Sequence, residues 1–279
     1  MQHDAHGWWI AEAGAPAPQP ALKADVDADV VVIGGGFTGM WSAWHLLEAD
    51  PDLRIVLLEG DRCGFGPSGR NGGFVQAMTL SRPTLHELFG VRGGDDLVAA
   101  AEASVTAIGA WCGAEGVDAW YHAAPHLIVH AAPGQDTKFV RAAEGEGVVA
   151  LDAAQVRARC DSALFNGGLE VKAGATVQPA RLGFGLRARL LDRGVRIHEH
   201  SRVRSLDGAV AATDTARVRA WTAIVAVGPA SAGKKRTRSA FARAITSGST
   251  SIRPPVRAPI AMRPPAQPNR IRPSGVVRR

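Results

Sequence analysis

The fold is decided by residues 29–39, which read DVVVIGGGFTG. The short run of β-branched apolar residues at its start predicts a strand that is buried on both faces, as in a parallel sheet. The glycines that follow have the spacing G-x-G-x-x-G, and residues 40–48 predict a helix directly after them. A second buried strand is predicted over residues 54–58 and ends at Glu59. Strand, glycine turn, helix and strand together make one βαβ unit.

The glycine turn has the chemistry of a dinucleotide site. Gly34 allows a tight turn, Gly36 lets the backbone approach a diphosphate, and Gly39 permits close packing of the helix on the strand. The helix N-terminus then offers unpaired N–H groups and the positive end of its dipole to the phosphates. Glu59 can accept hydrogen bonds from ribose hydroxyls, and its charge would repel the 2′-phosphate of NADP. The alternative is a turn that serves packing only. A Walker-type phosphate loop is excluded because Met40 stands where its lysine would be needed.

The next loop, residues 62–73, reads RCGFGPSGRNGG. Its five glycines, serine, arginine and asparagine offer backbone N–H groups, a hydroxyl, a guanidinium and an amide. Such a loop can wrap a long anionic cofactor and still approach a flat ring. A flexible surface loop is the alternative. Cys63 within it is expected to be a small buried thiol rather than a point of cofactor attachment.

The rest of the chain completes an α/β fold with an insert. Residues 95–112 carry apolar side chains at helical spacing, but the region around them lacks regular βα alternation and predicts an antiparallel α+β insert. The βα pattern returns with a helix after Pro179 and buried strands near residues 195–198 and 223–227. Arg181, Arg187 and Arg189 on that helix are expected on a solvated face. At the N-terminus, Trp8, Trp9 and Ile10 are expected to dock on the same chain, with a partner site as the alternative.

Composition excludes several classes of protein. No stretch approaches 18 uninterrupted apolar residues, which argues against a membrane span. The N-terminus lacks the basic start and apolar run of a secretory signal, so a cytoplasmic protein is expected. The chain has three widely spaced cysteines and no CxxC pair, which argues against a disulfide framework or a structural zinc site.

Several motifs together resemble a known family. VVVIGGGFTGMWSAWHL, LLE, CGFGPSGRNGG, TVQPARL and GVRIHEHSRV are similar to the FAD-dependent oxidoreductases of the D-amino-acid oxidase type, especially glycine oxidase and γ-glutamylputrescine oxidase-like proteins. The resemblance covers roughly residues 8–230. It implies FAD along the βαβ unit in a Rossmann-like fold, and a small amine or amino acid as substrate. It also implies hydride transfer from the carbon next to nitrogen to flavin N5, imine hydrolysis, and reoxidation by oxygen or another acceptor.

The resemblance also assigns residues to the cofactor, while it names no separate catalytic acid or base. Residues of the glycine turn are expected at the diphosphate, the acid after the second strand at the adenosine ribose, and the Gly-rich loop along the ribityl chain toward the ring. One residue is expected near the adenine and one in a later turn beside the cofactor. In that order, these residues are Gly34, Gly36, Phe37, Thr38 and Gly39, then Glu59, then Ser68, Gly69, Arg70, Asn71 and Gly72, then Val203, then Gly228.

The charge of the chain changes sharply near residue 230. Residues 1–229 hold 20 lysines and arginines against 26 acidic residues, whereas residues 230–279 hold 12 and no acid, with seven of the 17 prolines. The likeness to the family is expected to fade after Gly228 and to be gone from Arg253. We therefore expect a truncated or frame-shifted chain with an irregular tail. A basic arm that binds nucleic acid or acidic lipid is the alternative, which the absence of aromatic residues after Phe241 disfavours.

These observations predict a division into an N-terminal arm, two segments of an FAD-binding domain, a substrate-domain insert between them and a basic tail. The arm is residues 1–28, and the two segments of the FAD-binding domain are 29–84 and 176–229. The insert is residues 85–175, and the tail is 230–279. The alternative function is a catalytically impaired dinucleotide-binding fragment or a basic-tailed binding protein.

Overall fold

A computed structural model of the chain describes residues 7–132, 135 and 147–227. The helices are α1 (Trp8–Ala13), α2 (Phe37–Ala49), α3 (Arg82–Ala114), α4 (Ala153–Arg157) and α5 (Pro179–Asp192), with 3₁₀ turns at Pro67–Gly69 and Thr79–Ser81. The strands are β1 (Val26–Asp27), β2 (Val30–Ile33), β3 (Ile55–Leu58), β4 (Phe74–Gln76), β5 (His122–Ala123), β6 (His126–His130), β7 (Val148–Asp152), β8 (Gly167–Val171), β9 (Gly174–Thr176), β10 (Arg196–His198), β11 (Ser205–Asp207), β12 (Val210–Ala212), β13 (Arg217–Arg219) and β14 (Thr222–Val225).

A parallel sheet with the strand order β10-β3-β2-β14 forms the centre of the molecule. Every residue of β2 and β3 is buried, because alternate side chains point to opposite faces of the sheet and both faces are covered. Val32 packs with α2 and α5 on one face, and Val31 packs against the small sheet β1-β13-β12-β11 on the other. The predicted Rossmann-like sheet is therefore present.

Two three-stranded sheets lie outside the parallel sheet, with the orders β4-β9-β5 and β6-β8-β7, and their pairings are antiparallel. The antiparallel α+β insert predicted from the sequence corresponds to these sheets with α3 and α4. Strand β4 lies in the segment 29–84 that the sequence analysis assigned to the FAD-binding domain, yet it pairs with β9. The predicted domain division stays a prediction.

Helix α3 is longer than the sequence predicts. It begins at Arg82 rather than at residue 95, and it bends at Gly90, whose φ of 72° and ψ of 167° are not helical. Together with the preceding turn, Thr79–Ala114 is long and apolar enough to cross a membrane, with a mean hydropathy of 1.4 over its most apolar 18 residues. Polar residues such as Glu102 interrupt the segment, so it contains no run of 18 uninterrupted apolar residues and a criterion based on such runs does not detect it. Length and composition are weak support for a span, since helices of soluble proteins pass the same test.

The N-terminal arm docks on the body, in part as predicted. Ile10 is buried in a cluster with Phe65 and Phe184, and the backbone oxygen of Trp9 accepts a hydrogen bond of 2.7 Å from Nε2 of Gln178. The prediction is wrong for Trp8, which is 62% exposed because α1 turns its side chain away from the cluster. The predicted irregular tail, 230–279, lies outside the described residues.

Candidate functional site

The glycine turn connects β2 to α2 at the carboxyl end of the parallel sheet. The N–H of Gly34 donates to the backbone oxygen of Leu58 at 2.8 Å, so the turn begins while the chain is still paired with β3. Gly34 has a φ of +111°, and a Cβ at this position would lie 2.5 Å from the backbone oxygen of Ala226. A side chain at Gly34 is thus excluded both by the backbone conformation and by the neighbouring chain.

The other two glycines of the motif differ in what surrounds them. A Cβ on Gly39 would lie 2.0 Å from the backbone oxygen of Gly34, so α2 can pack on the turn only without a side chain there. A Cβ on Gly36 would meet only the hydroxyl of Ser68, at 3.0 Å. The space beside Gly36 is therefore not filled by the described part of the chain, as the approach of a ligand to the backbone requires.

The N-terminus of α2 carries N–H groups that find no acceptor among the described residues. The N–H of Phe37 donates to Oγ of Ser68 at 2.9 Å. The described residues supply no acceptor to the N–H groups of Gly36, Thr38 and Gly39. Unpaired N–H groups together with the positive end of the helix dipole form an anion site. The residues present thus fit the diphosphate of a dinucleotide.

Glu59 follows β3 directly and faces the same turn. Its Oε2 accepts a hydrogen bond of 2.7 Å from the N–H of Gly35, and its Oε1 accepts one of 2.9 Å from the N–H of Asp61. These two bonds fix the orientation of the carboxylate. Each oxygen keeps a further lone pair, so the half-buried carboxylate can also accept from the hydroxyls of a ribose.

The Gly-rich loop brings Ser68 to the turn, and its neighbours bond or pack within the loop, while the predicted cofactor contacts of all five residues 68–72 stay predictions. The amide Nδ2 of Asn71 donates to the backbone oxygen of Ser68 at 2.8 Å, and its Oδ1 accepts from the N–H of Gly73 at 2.8 Å, so this side chain holds the loop itself. Gly69 is buried, with room for no Cβ, because one would lie 2.1 Å from the oxygen of Gly64. The two remaining predicted residues of the loop, Arg70 and Gly72, are exposed.

The last two predicted residues lie after β10. The backbone N–H of Ser201 donates to the backbone oxygen of Glu59 at 2.7 Å, so the segment that leads to Val203 runs along the end of β3. Val203 is half-buried and packs under the parallel sheet. Gly228 lies outside the described residues. Their predicted contacts with a cofactor stay predictions.

The sequence analysis missed a buried ion pair beneath the loop. Arg187 was expected on a solvated face, but it is 4% exposed and binds the carboxylate of Glu199, which is 1% exposed, through Nε and Nη2 at 3.0 and 2.8 Å. The expectation is wrong because α5 turns Arg187 inward beside β10. The signal in the sequence was an acid directly after a buried strand. Cys63, by contrast, is buried as expected, and this burial raises the pKa of its thiol well above the ordinary value.

Two grooves of about 300 and 280 Å³ lie elsewhere on the described surface. One is bordered by Gly14, Asp118 and Arg189, and the other by Glu102, Tyr121 and Lys172. Neither touches the glycine turn. A diphosphate held by backbone N–H groups needs an open helix end rather than a cavity, so the free donors locate the candidate site better than the grooves do.

Comparison with known proteins gives one family match and several partial relatives. A sequence model of the family described as "DAO: FAD dependent oxidoreductase" matches residues 29–275. The match extends into the basic tail, so the expectation that the likeness is gone from Arg253 is wrong. Gamma-glutamylputrescine oxidoreductase of Escherichia coli (strain K12) is 47% identical over 73 residues, which are 26% of this chain and 17% of that protein.

Two solved structures share the fold. Glycine oxidase from Geobacillus kaustophilus superposes with a TM-score of 0.65 at 18% identity, over 78% of this chain and 59% of that one. L-Amino acid deaminase from Proteus myxofaciens gives a TM-score of 0.58 at 17% identity, over 77% and 48%. The chain thus spans about half the length of these structures, and a smaller share of the curated relative. The α/β fold class predicted from the sequence is confirmed.

Proposed function

The chain belongs to the DAO family of FAD-dependent oxidoreductases, and on that premise we propose that it binds FAD across the glycine turn and oxidises a C–N bond of a small amine or amino acid. The observation that carries the proposal is the pairing of free N–H groups at the N-terminus of α2 with the carboxylate of Glu59 on the same turn. This pairing matches the two polar ends of an adenosine diphosphate.

In this proposal each group has a defined task. The N–H groups of Gly36, Thr38 and Gly39 donate to the diphosphate, and the hydroxyl of Ser68, already on the helix end, can turn its proton toward it. The carboxylate of Glu59 accepts from the ribose hydroxyls. A charge-assisted hydrogen bond of this kind is roughly twice as strong as a neutral one.

The Gly-rich loop spans the two parts of the fold that the reaction needs. At its start the N–H of Gly64 donates to the oxygen of Gly35 at 2.9 Å, and at its end the oxygen of Gly73 accepts from the N–H of Val177 at 2.8 Å. Strand β4 follows at once and pairs with β9 in the antiparallel sheet. The loop therefore leads from the diphosphate turn to the insert, which supports the expectation that the insert bears the substrate.

When bound, FAD supplies the acceptor for a hydride from the carbon next to the substrate nitrogen, after which the imine hydrolyses and oxygen or another acceptor restores the cofactor. The described residues bind and orient the reactants. Because a neutral amine needs no base to lose its hydride, the proposal assigns no catalytic acid or base among them.

Equilibrium titration with FAD tests the site, with Gly36→Ala as the variant and Gly113→Ala as its matched control. Gly36 has a φ of −82° and only Ser68 near its Cβ position, so G36A should fold, while its methyl group occupies the space of the diphosphate. Gly113 has no atom within 4 Å of its Cβ position. We expect the affinity for FAD to fall by about tenfold or more in G36A and to be unchanged in G113A.

Amines and amino acids added to the FAD-loaded protein without oxygen then test the reaction. Loss of the visible flavin absorbance with one of them is the expected result. Bound FAD that no amine or amino acid reduces would favour the alternative of a cofactor-binding fragment without turnover. Wild-type protein that binds no FAD would contradict the proposal as a whole.

A further inference from the structure

The ion pair of Arg187 and Glu199 is the point where four segments of the chain meet. Glu199 follows β10, and its carboxylate accepts hydrogen bonds from the N–H of Cys63 at 2.7 Å and from the N–H of Gln19 at 2.6 Å. Arg187 on α5 donates to the backbone oxygen of Ala17 at 2.9 Å in addition to its two bonds with Glu199. One buried carboxylate thus joins the N-terminal arm, the start of the Gly-rich loop and α5.

The start of that loop is in direct contact with the glycine turn. A Cβ on Gly35 would lie 2.4 Å from Sγ of Cys63, so the thiol already rests on the backbone of the turn. The next residue, Gly64, donates its N–H to the oxygen of Gly35 at 2.9 Å. Gly35 in turn donates to the carboxylate of Glu59. A displacement of Cys63 would therefore move both the turn and its bond to Glu59.

The position of Cys63 depends on Glu199. The hydrogen bond from its N–H is charge-assisted and lies in a buried environment, where such bonds are strong and leave little freedom. The carboxylate itself cannot turn, because the planar guanidinium of Arg187 binds both of its oxygens. Arg187 therefore fixes the orientation of the Glu199 carboxylate, the carboxylate fixes the backbone of Cys63, and Cys63 in turn limits the position of Gly35.

We infer that Arg187 and Glu199 are positioning residues of the FAD site, which hold the glycine turn and Glu59 in the geometry that binds the cofactor. Neither side chain bonds to the N-terminus of α2, so they act through Cys63 and Gly35. The inference rests on the proposed FAD site. Groups that orient the ligands of a metal site change its metal affinity by about tenfold to a hundredfold, and we expect an effect of that order on FAD here.

The experiment measures the dissociation constant of FAD and the urea midpoint of unfolding for Glu199→Gln, Arg187→Lys and Asp29→Asn. E199Q removes the charge and turns an amide toward donors, and R187K keeps a positive charge but loses the planar fork. D29N is the matched control. Asp29 binds the side chain and backbone of Arg54 at the amino ends of β2 and β3, at the opposite end of the sheet from the turn.

We expect all three variants to lower the urea midpoint, and only E199Q and R187K to weaken FAD binding, by about tenfold or more. Should E199Q fail to fold, R187K decides alone. Unchanged affinity in R187K, or an equal loss in D29N at similar stability, would overturn the inference while leaving the proposed function intact. Wild-type protein that binds no FAD would overturn the proposed function and the inference with it.

Discussion

The carboxylate of Glu59 accepts a hydrogen bond of 2.7 Å from the backbone N–H of Gly35. Through this bond the end of β3 is fixed to the turn after β2, and an acidic group lies beside N–H donors that have no acceptor in the described part of the chain. Hydrogen-bond donors and an acceptor within one turn suit a ligand with a diphosphate, which accepts from the N–H groups, and hydroxyls, which donate to the carboxylate.

Glu59→Gln should weaken FAD binding by about tenfold to a hundredfold, because the amide group of glutamine cannot accept on both sides as the carboxylate does. Glu59 is half-buried, so the fold should survive the change. Fluorescence titration with FAD measures the effect. Glu48→Gln, on the exposed end of α2, is the control and should bind as wild type. Equal affinities for both variants would contradict the role of Glu59.

Gly39→Ala should destabilise the protein by about 1–3 kcal/mol, because its Cβ would lie 2.0 Å from the oxygen of Gly34 and α2 would have to shift from the turn. Gly113→Ala, in the last turn of α3 with free space around its Cβ position, should instead stabilise by up to about 1 kcal/mol. Urea denaturation of both variants measures the change in the free energy of unfolding, which should be a decrease for G39A and an increase for G113A. A stable G39A variant would show that the contact of α2 with the turn is loose.

The ion pair of Arg187 and Glu199 should make stability depend on pH in the acid range. Burial alone would raise the pKa of Glu199, but the guanidinium of Arg187 and the N–H groups of Gln19 and Cys63 lower it below the ordinary 4.5. A carboxyl group with a lowered pKa stabilises the fold fully above its unfolded value, and this contribution is lost as the pH falls through the folded value.

The difference in unfolding free energy between wild type and E199Q should therefore be constant near neutral pH and shrink as the pH falls below about 4.5. Denaturant titrations from pH 7 to pH 3 measure it. A difference that is independent of pH would mean that Glu199 is not ionised in the folded protein.

Ile10→Ala should release the N-terminal arm at a cost of about 2–5 kcal/mol, because the side chain is 1% exposed in its cluster with Phe65. Trp8→Ala removes a larger but 62% exposed side chain and should change stability by less than about 0.5 kcal/mol. The rate of limited proteolysis at sites before residue 20 measures the release of the arm. Faster cleavage in W8A than in I10A would contradict the docking.

The elements that could be predicted from the sequence are those with a local signature. The βαβ unit is such a case, since an apolar run, three glycines and an acid stand in fixed order within residues 29–59. Helix α3 was predicted too short because Gly90, Gly93 and Gly94 favour a break, whereas the structure continues through them with a bend at Gly90. The small sheet β1-β13-β12-β11 has strands of two or three residues, which are too short to show the alternation of apolar and polar residues that predicts a strand.

The ion pair beneath the loop illustrates what a local pattern cannot give. Arg187 and Glu199 are 12 residues apart, and each is polar enough to be expected in water. Their burial follows only from the packing of α5 against β10 and the arm. Asn71, which the resemblance assigns to the cofactor, hydrogen-bonds within its own loop, and its contact with a cofactor stays a prediction.

Amide hydrogen exchange at Gly36, Thr38 and Gly39, with and without FAD, tests the central claim most directly. These N–H groups have no acceptor in the described part of the chain and should exchange fast in the free protein. Saturation with FAD should slow all three, while the N–H of Phe37, already bonded to Ser68, changes less. Bound FAD with unchanged exchange at Gly36, Thr38 and Gly39 would contradict the placement of its diphosphate on this turn.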